Sequence, residues 1–183
     1  ATIPYRTQVK NIETEIEKSL TLKWALRNTS LQPKQEWFIE KMADFLEKNP
    51  EASITVHPIH YSLKEKEYIL FYEAKKKYYL ITNNKNTGTF TGEDSDKVTK
   101  MSVKDSFFVD YLNKHINDSL IFTIQEKCNR YIDPTVMNAK YDLLIKEREN
   151  NFILHFKDRG MEKRITFSTA DNVIPYNGFS YYE

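Results

Sequence analysis

Disulfide chemistry is the first thing this sequence lacks the means for: among 183 residues, Cys128 is the single cysteine. An intrachain disulfide needs two cysteines, and a thiolate-rich metal site needs more. Backbone breakers are also scarce, with 4 glycines and 6 prolines, which excludes collagen-like and low-complexity chains. Four dispersed glycines likewise leave no phosphate-cradling loop and no dinucleotide fingerprint. No apolar run approaches the roughly 20 residues needed to cross a bilayer, and the start carries no signal-peptide pattern. Charge of one sign is absent too: 27 basic residues face 26 acidic ones, for a net charge of +1. Nucleic-acid binding draws on a concentrated basic field, so nucleic acid is not an expected partner.

What is present is a chain with 40% hydrophobic residues, including 12 tyrosines and 11 phenylalanines. That is enough for one sizeable domain or two small units with an aromatic core. Val9, Ile12, Ile16, Leu20 and Trp24 recur at helical spacing and predict an amphipathic first helix. QPKQEWFIEKMADFLEKNP predicts a second helix, with Pro33 in its first turn, an apolar stripe of Phe38, Met42, Phe45 and Leu46, and a stop at Asn49-Pro50. SITVHPIHY reads as a short strand whose Pro58 places it at an edge, a bulge or a strand end.

KEKEYILFYEAKKKYYL, residues 64–80, mixes lysines with tyrosines in a way that fits nucleic acid, a membrane surface or the outside of a fold. Tyr68, Phe71, Tyr72, Tyr78 and Tyr79 fall on one helical face, which Leu63, Leu70, Ala74 and Ile81 widen. The expectation is a packed helix whose rings turn inward against a sheet while the lysine tips reach water. Glu73 and Lys77 would pair on its exposed side.

Residues 83–101, rich in Asn, Thr, Asp and Gly, read as a linker loop between two halves. The halves resemble each other weakly. DFLEKNPEASITV overlays DYLNKHINDSLIF at an offset of 66 residues, as in Asp44 over Asp110, and each piece reads as a helix end, a connection and a strand. The expected fold is therefore α/β (α+β), a two-layer helix-on-sheet module with a degenerate internal duplication. Residues 1–82 would hold an N-terminal helix and a first α-β-α unit, and residues 102–183 a related second unit ending in strands. Within the second, Asp133 caps a helix opening at Pro134. Residues 141–158 stay open between a long helix and a hairpin turning at Asn150-Asn151. RITFST reads as a strand, Pro175 to Gly178 as a turn, and FSYYE as a strand cut short, so the chain reads as a segment of a longer protein.

The order Asp133, Arg148 fifteen residues on, Gly160 and the RITFST strand resembles the OmpA-like α/β domain. More loosely, it resembles divergent relatives at the ends of large bacterial AsmA-type envelope proteins. WFIEKMADFLEKNPEASITV is similar to the helix and strand before that family's ligand loop, and the resemblance covers residues 33–171. It implies a periplasmic or envelope location, with other domains of a longer chain or an envelope protein as partner. It also implies a ligand pair, in which Asp133 receives an ammonium and Arg148 a carboxylate of the peptidoglycan stem peptide. NRYIDPTV stands where the family has a glycine-rich loop, and Glu67 and Thr82 occupy the paired positions of the first half.

No reaction is nominated. His57 and His60 are three residues apart on a strand and so point to opposite faces unless Pro58 turns the chain. His115 and His155 have no recognisable nucleophile, and Glu73, Glu147 and Glu149 lack a glycosidase spacing. Cys128 reads as a packed thiol despite Lys127 and Arg130 nearby. No metal or cofactor is expected. The sequence reading is a non-catalytic structural or interaction module, with stem-peptide binding or an enzyme of unidentified reaction as the alternatives.

Overall fold

The structure, a computed structural model, describes residues 22–59, 61–168 and 179–182. They divide into two compact units. The first joins the described residues up to 61 with those from 144 onward, and the second is residues 62–143. The chain therefore does not divide at the expected linker. Its first unit is discontinuous and the second is inserted within it.

In the first unit, strand β1 (Leu22–Ala25) leads to helix α1 (Pro33–Lys48), strand β2 (Ile54–Val56) and strand β3 (Pro58–Ile59). The chain returns through the later turns of helix α6 (Pro134–Lys157), a 3-10 turn (Glu162–Arg164), strand β4 (Ile165–Phe167) and strand β5 (Phe179–Tyr182). Strands β2 and β4 pair in parallel, with Ile54 opposite Ile165. Strand β5 lies between β1 and β3, antiparallel to both, so Pro58 is on an edge strand where its missing donor costs least. Trp24 belongs to β1 and not to a helix, and the other positions of the expected first helix, Val9 to Leu20, lie outside the described residues.

The core of this unit is Trp24, Ile39, Ala43, Leu46, Val56, Phe152, Phe156, Met161 and Ile165. On α6 the buried positions Leu144, Arg148, Phe152 and Phe156 recur every four residues, which settles residues 141–157 as helix. Asn151, expected in a hairpin turn, sits in that helix and donates through Nδ2 to the Thr29 carbonyl at 2.7 Å. Gly160 ends α6 at φ +69°, a conformation that glycine adopts without steric cost. The Met161 amide then donates to the Phe156 carbonyl at 3.0 Å and the Gly160 amide to Lys157 at 2.9 Å, closing the orphan carbonyls of the last turn.

The second unit is helical throughout, with no strand among its described residues. It contains α2 (Ser62–Thr82), α3 (Gly92–Lys100), α4 (Ser106–His115), α5 (Ile124–Tyr131) and the first turns of α6. Its core gathers Leu70, Ala74, Phe108, Leu112, Cys128 and Ile132. The expected helix over 64–80 is present, but it packs on helices and not on a sheet. Its tyrosines also diverge. Tyr78 meets Phe108 and Tyr111 edge-on, Tyr72 bonds Ser95 at 2.8 Å, and Tyr79 donates to Asp94 at 2.7 Å.

The expected loop over 83–101 contains α3. Its cap is reciprocal: Thr91 Oγ1 accepts from the Asp94 amide at 3.2 Å, and the Asp94 carboxylate accepts from the Thr91 amide at 2.9 Å. Thr123 and Glu126 open α5 in the same way. Leu120 to Phe122, which the 66-residue offset lays over strand β2, are turn and coil, so the helix-strand-helix order does not recur and the duplication has no structural support. The mixed α/β class stands, with helix predominating and the sheets confined to the first unit.

Candidate functional site

Helix α2 presents two surfaces. Leu70, Ala74 and Tyr78 turn to the core of the second unit, while Glu73, Lys77, Leu80 and Ile81 form a second stripe at helical spacing. Opposite it stands the start of α6, where Asp133, Val136 and Lys140 repeat at intervals of three and four. Two cross-contacts set the direction of the pair. Lys66 Nζ lies 5.0 Å from the Tyr141 ring centre, and Lys77 Nζ lies 4.2 Å from that of Tyr131. As position rises along α2 it falls towards the start of α6, so the two stripes run antiparallel.

Between them lies an open groove of about 490 Å³, within the usual range for ligand sites. Its floor is apolar. Ile132 is buried, whereas Ile81 and Val136 remain 52% and 43% exposed. Its rim carries three ammonium groups and two carboxylates, and Thr87 completes the lining. Lys77 is fixed by donating to the Tyr131 carbonyl at 3.1 Å, and Lys76 Nζ stands 4.7 Å over the Phe90 ring. Asp133 Oδ1 accepts from the amide and the hydroxyl of Thr135 at 2.9 and 2.8 Å. These bonds hold its carboxyl below the ordinary range, and therefore ionised.

The two expected ligand residues have different surroundings. Asp133 is exposed on the groove rim of the second unit. Arg148 belongs to the first unit and is fully buried. Its Nε donates to the Asn28 carbonyl at 2.8 Å and its Nη2 to the Ala25 carbonyl at 3.1 Å. Those are carbonyls of the turn after β1, the Ala25 oxygen also accepting from the Asn28 amide at 2.9 Å, so a residue expected to face a ligand is instead a tie within the core. Arg164 does the same for the end of α1, donating to the carbonyls of Leu46, Asn49 and Ala52.

The remaining chemistry-bearing residues have structural contacts. His57 Nδ1 lies 2.6 Å from Ser168 Oγ, a pairing that sequence spacing gave no means of finding. Ser168 also donates its amide to the Val56 carbonyl, so the pair joins the ends of β2 and β4. Among the described residues no carboxylate pairs with the His57 ring, and a serine nucleophile needs a base that a third group orients. His60 lies outside the described residues. His155 bonds Glu40 at 3.0 Å within a surface cluster in which Arg159 also bridges Glu40, Asp44 and Glu47. Burial pushes the Cys128 thiol up to about 12, which leaves it protonated and unreactive at neutral pH. Among the described residues no group of three His, Cys, Asp or Glu could hold a metal ion, and no helix is long and apolar enough to cross a membrane.

The groove escaped sequence reasoning because Ile81 fitted the inward face of α2 and Lys76 and Lys77 read as solvated tips. The available signal was the second stripe on α2, with Leu80 and Ile81 one turn beyond Lys77. No family model, curated protein or solved structure matches this chain.

Proposed function

We propose that this chain is a non-catalytic interaction module of a larger bacterial envelope protein, and that the groove of its second unit is the contact surface. One observation carries the reading: exposed Ile81 and Val136 line an open groove whose rim is charged. Exposed apolar side chains with polar groups around them are what a partner buries. The lining holds no histidine, cysteine or serine to act as nucleophile or neutral-pH base. The envelope setting rests on the resemblance that runs through Asp133, Arg148, Gly160 and the strand at Ile165–Phe167. Stem-peptide recognition by the Asp133 and Arg148 pair is not favoured, because the Arg148 donors lie on backbone carbonyls inside the first unit.

The test is an amide-resonance titration of the full chain with a panel of stem-peptide fragments and short peptides of either charge. The reading expects shifts clustered at Leu80, Ile81, Val136 and Lys140, with the added compound recovered unchanged. Conversion of the compound, or shifts that leave the groove untouched, would overturn it.

A further inference from the structure

We infer that the groove takes a short acidic segment of a partner protein, anchored by aliphatic side chains. This deepens the reading above and rests on it. Three features define the occupant.

The first is length. The α2 stripe runs from Glu73 to Ile81, about 12 Å at 1.5 Å per residue. That is roughly two helical turns, so a short segment fills it and a whole domain face is not required. The second is the pairing of stripes. Two antiparallel helices with an open seam offer ridges into which a third helix can lay its own i, i+3, i+4 row. Leu80, Ile81 and Val136 are the apolar positions against which aliphatic anchors would be buried.

The third is charge. Among the described residues, Lys76 and Lys140 have no carboxylate or carbonyl acceptor, and Lys76 has only the Phe90 ring. Asp133 is already engaged by Thr135. The bonds from Thr135 leave the Asp133 charge in place, so the rim carries three cations, Lys76, Lys77 and Lys140, against two anions, Glu73 and Asp133, on a chain that is otherwise close to neutral. Carboxylates flanking the anchors would meet ammonium groups, and lysines there would meet ammonium groups as well and be repelled.

Two other features carry less. Phe107, Leu120 and Phe122 are highly exposed, but Tyr111 meets Tyr131 and Asn113 meets Lys127, so α4 and α5 run antiparallel and Phe107 and Phe122 lie at opposite ends of the pair. The His57–Ser168 contact has no carboxylate partner among the described residues.

The experiment titrates the full chain with a blocked nonapeptide that places leucines at helical spacing among glutamates. Twin peptides with glutamine or lysine in place of glutamate, and octanoate, form the other arms. The expected result is shifts at Leu80, Ile81, Val136 and Lys140 with the glutamate peptide. Affinity should be at least tenfold weaker for the glutamine twin and should fall as salt rises. The double variant Lys76→Glu, Lys140→Glu should lose the glutamate peptide and gain the lysine twin. Because both positions lie on the groove rim, its circular dichroism should match wild type. Equal binding of all three peptides in the groove overturns the acidic partner and leaves the contact surface standing. Binding of octanoate alone overturns the peptide in favour of a small amphiphile. If nothing shifts the groove, both readings fall together.

Discussion

Replacing Arg148 separates a ligand-gripping arginine from a structural one, because the first role is read in binding at unchanged stability and the second in stability itself. Methionine at 148 keeps an unbranched side chain of similar reach but removes both donors. The fully buried guanidinium donates to the carbonyls of Asn28 and Ala25. Hydrogen bonds to a charged group contribute about 1.5–3 kcal/mol each, so two amount to about 3–6 kcal/mol. Lysine at 148 keeps the charge but presents it as a point and not a planar fork, and should recover less than half of the loss.

Against a total stability of about 5–15 kcal/mol, Arg148→Met should leave the first unit marginal. With a urea dependence of about 2 kcal/mol per molar, the midpoint should fall by at least about 1.5 M. Intrinsic tryptophan fluorescence is the suitable probe, since the two tryptophans, Trp24 and Trp37, both belong to the first unit. A midpoint unchanged to within about 0.3 M, together with lost binding of a stem-peptide fragment, would refute the structural assignment and restore the ligand role.

Asp94 accepts from Tyr79, Lys85 and the Thr91 amide, and these contacts, the Lys85 bond foremost, hold its carboxyl far below its ordinary 3.8. Stability from this cluster is present above that ordinary value and lost as pH falls through the lowered one. Far-ultraviolet circular dichroism should therefore show the helices of the wild type weakening on acidification below about pH 3.8, with a shallower pH dependence in Asp94→Asn. Thr91→Ala and Thr123→Ala each remove one side of a reciprocal cap and should lower stability by about 1 kcal/mol, read as a thermal-midpoint shift. The Cys128 thiol, held up to about 12 by burial, should react with a disulfide reagent at pH 8 only after unfolding. Stoichiometric labelling of the native chain within minutes would contradict its burial.

The sequence made the second expected helix, the strand before Pro58 and the strand at Ile165–Phe167 readable, because each shows a clean period bounded by breakers. It failed where a local signal had two meanings. Thr91 to Asp94 reads equally as turn chemistry or as a reciprocal helix cap, and only packing of Val98 and the Tyr79–Asp94 contact decides for α3. Thr123-Ile-Gln-Glu126 carries the same capping pattern, and the strand reading of the Leu-Ile-Phe run before it passed over that signal. In α6 the apolar row is interrupted by Arg148, and a charge at a core position broke the period that would have excluded a hairpin. The sequence marked the Asp133 end of the groove but missed its α2 wall, because a stripe on the outer face of a helix looks the same as solvated surface.

The insertion of residues 62–143 between the two segments of the first unit gives buried Arg148 and half-buried Arg164 their physical purpose. Pairing β2 with β4 closes a loop of more than a hundred residues, and the entropic cost of closure rises only as the logarithm of that length. Arg148 and Arg164 both bridge the gap, each placing its donors on carbonyls over a hundred residues earlier in the chain. A carbonyl at a turn or a helix end needs a donor whatever its sequence, and an arginine fork can serve several carbonyls at once. The lysines of α2 follow the same rule in the second unit. Lys75 donates to the Thr99 and Met101 carbonyls at the end of α3, and Lys77 to Tyr131 at the end of α5. Of the three consecutive lysines, Lys76 alone has no backbone carbonyl among the described residues, and it is on the groove rim. If the groove takes the proposed acidic segment, Lys76 is the lysine of the three with no backbone carbonyl to give up.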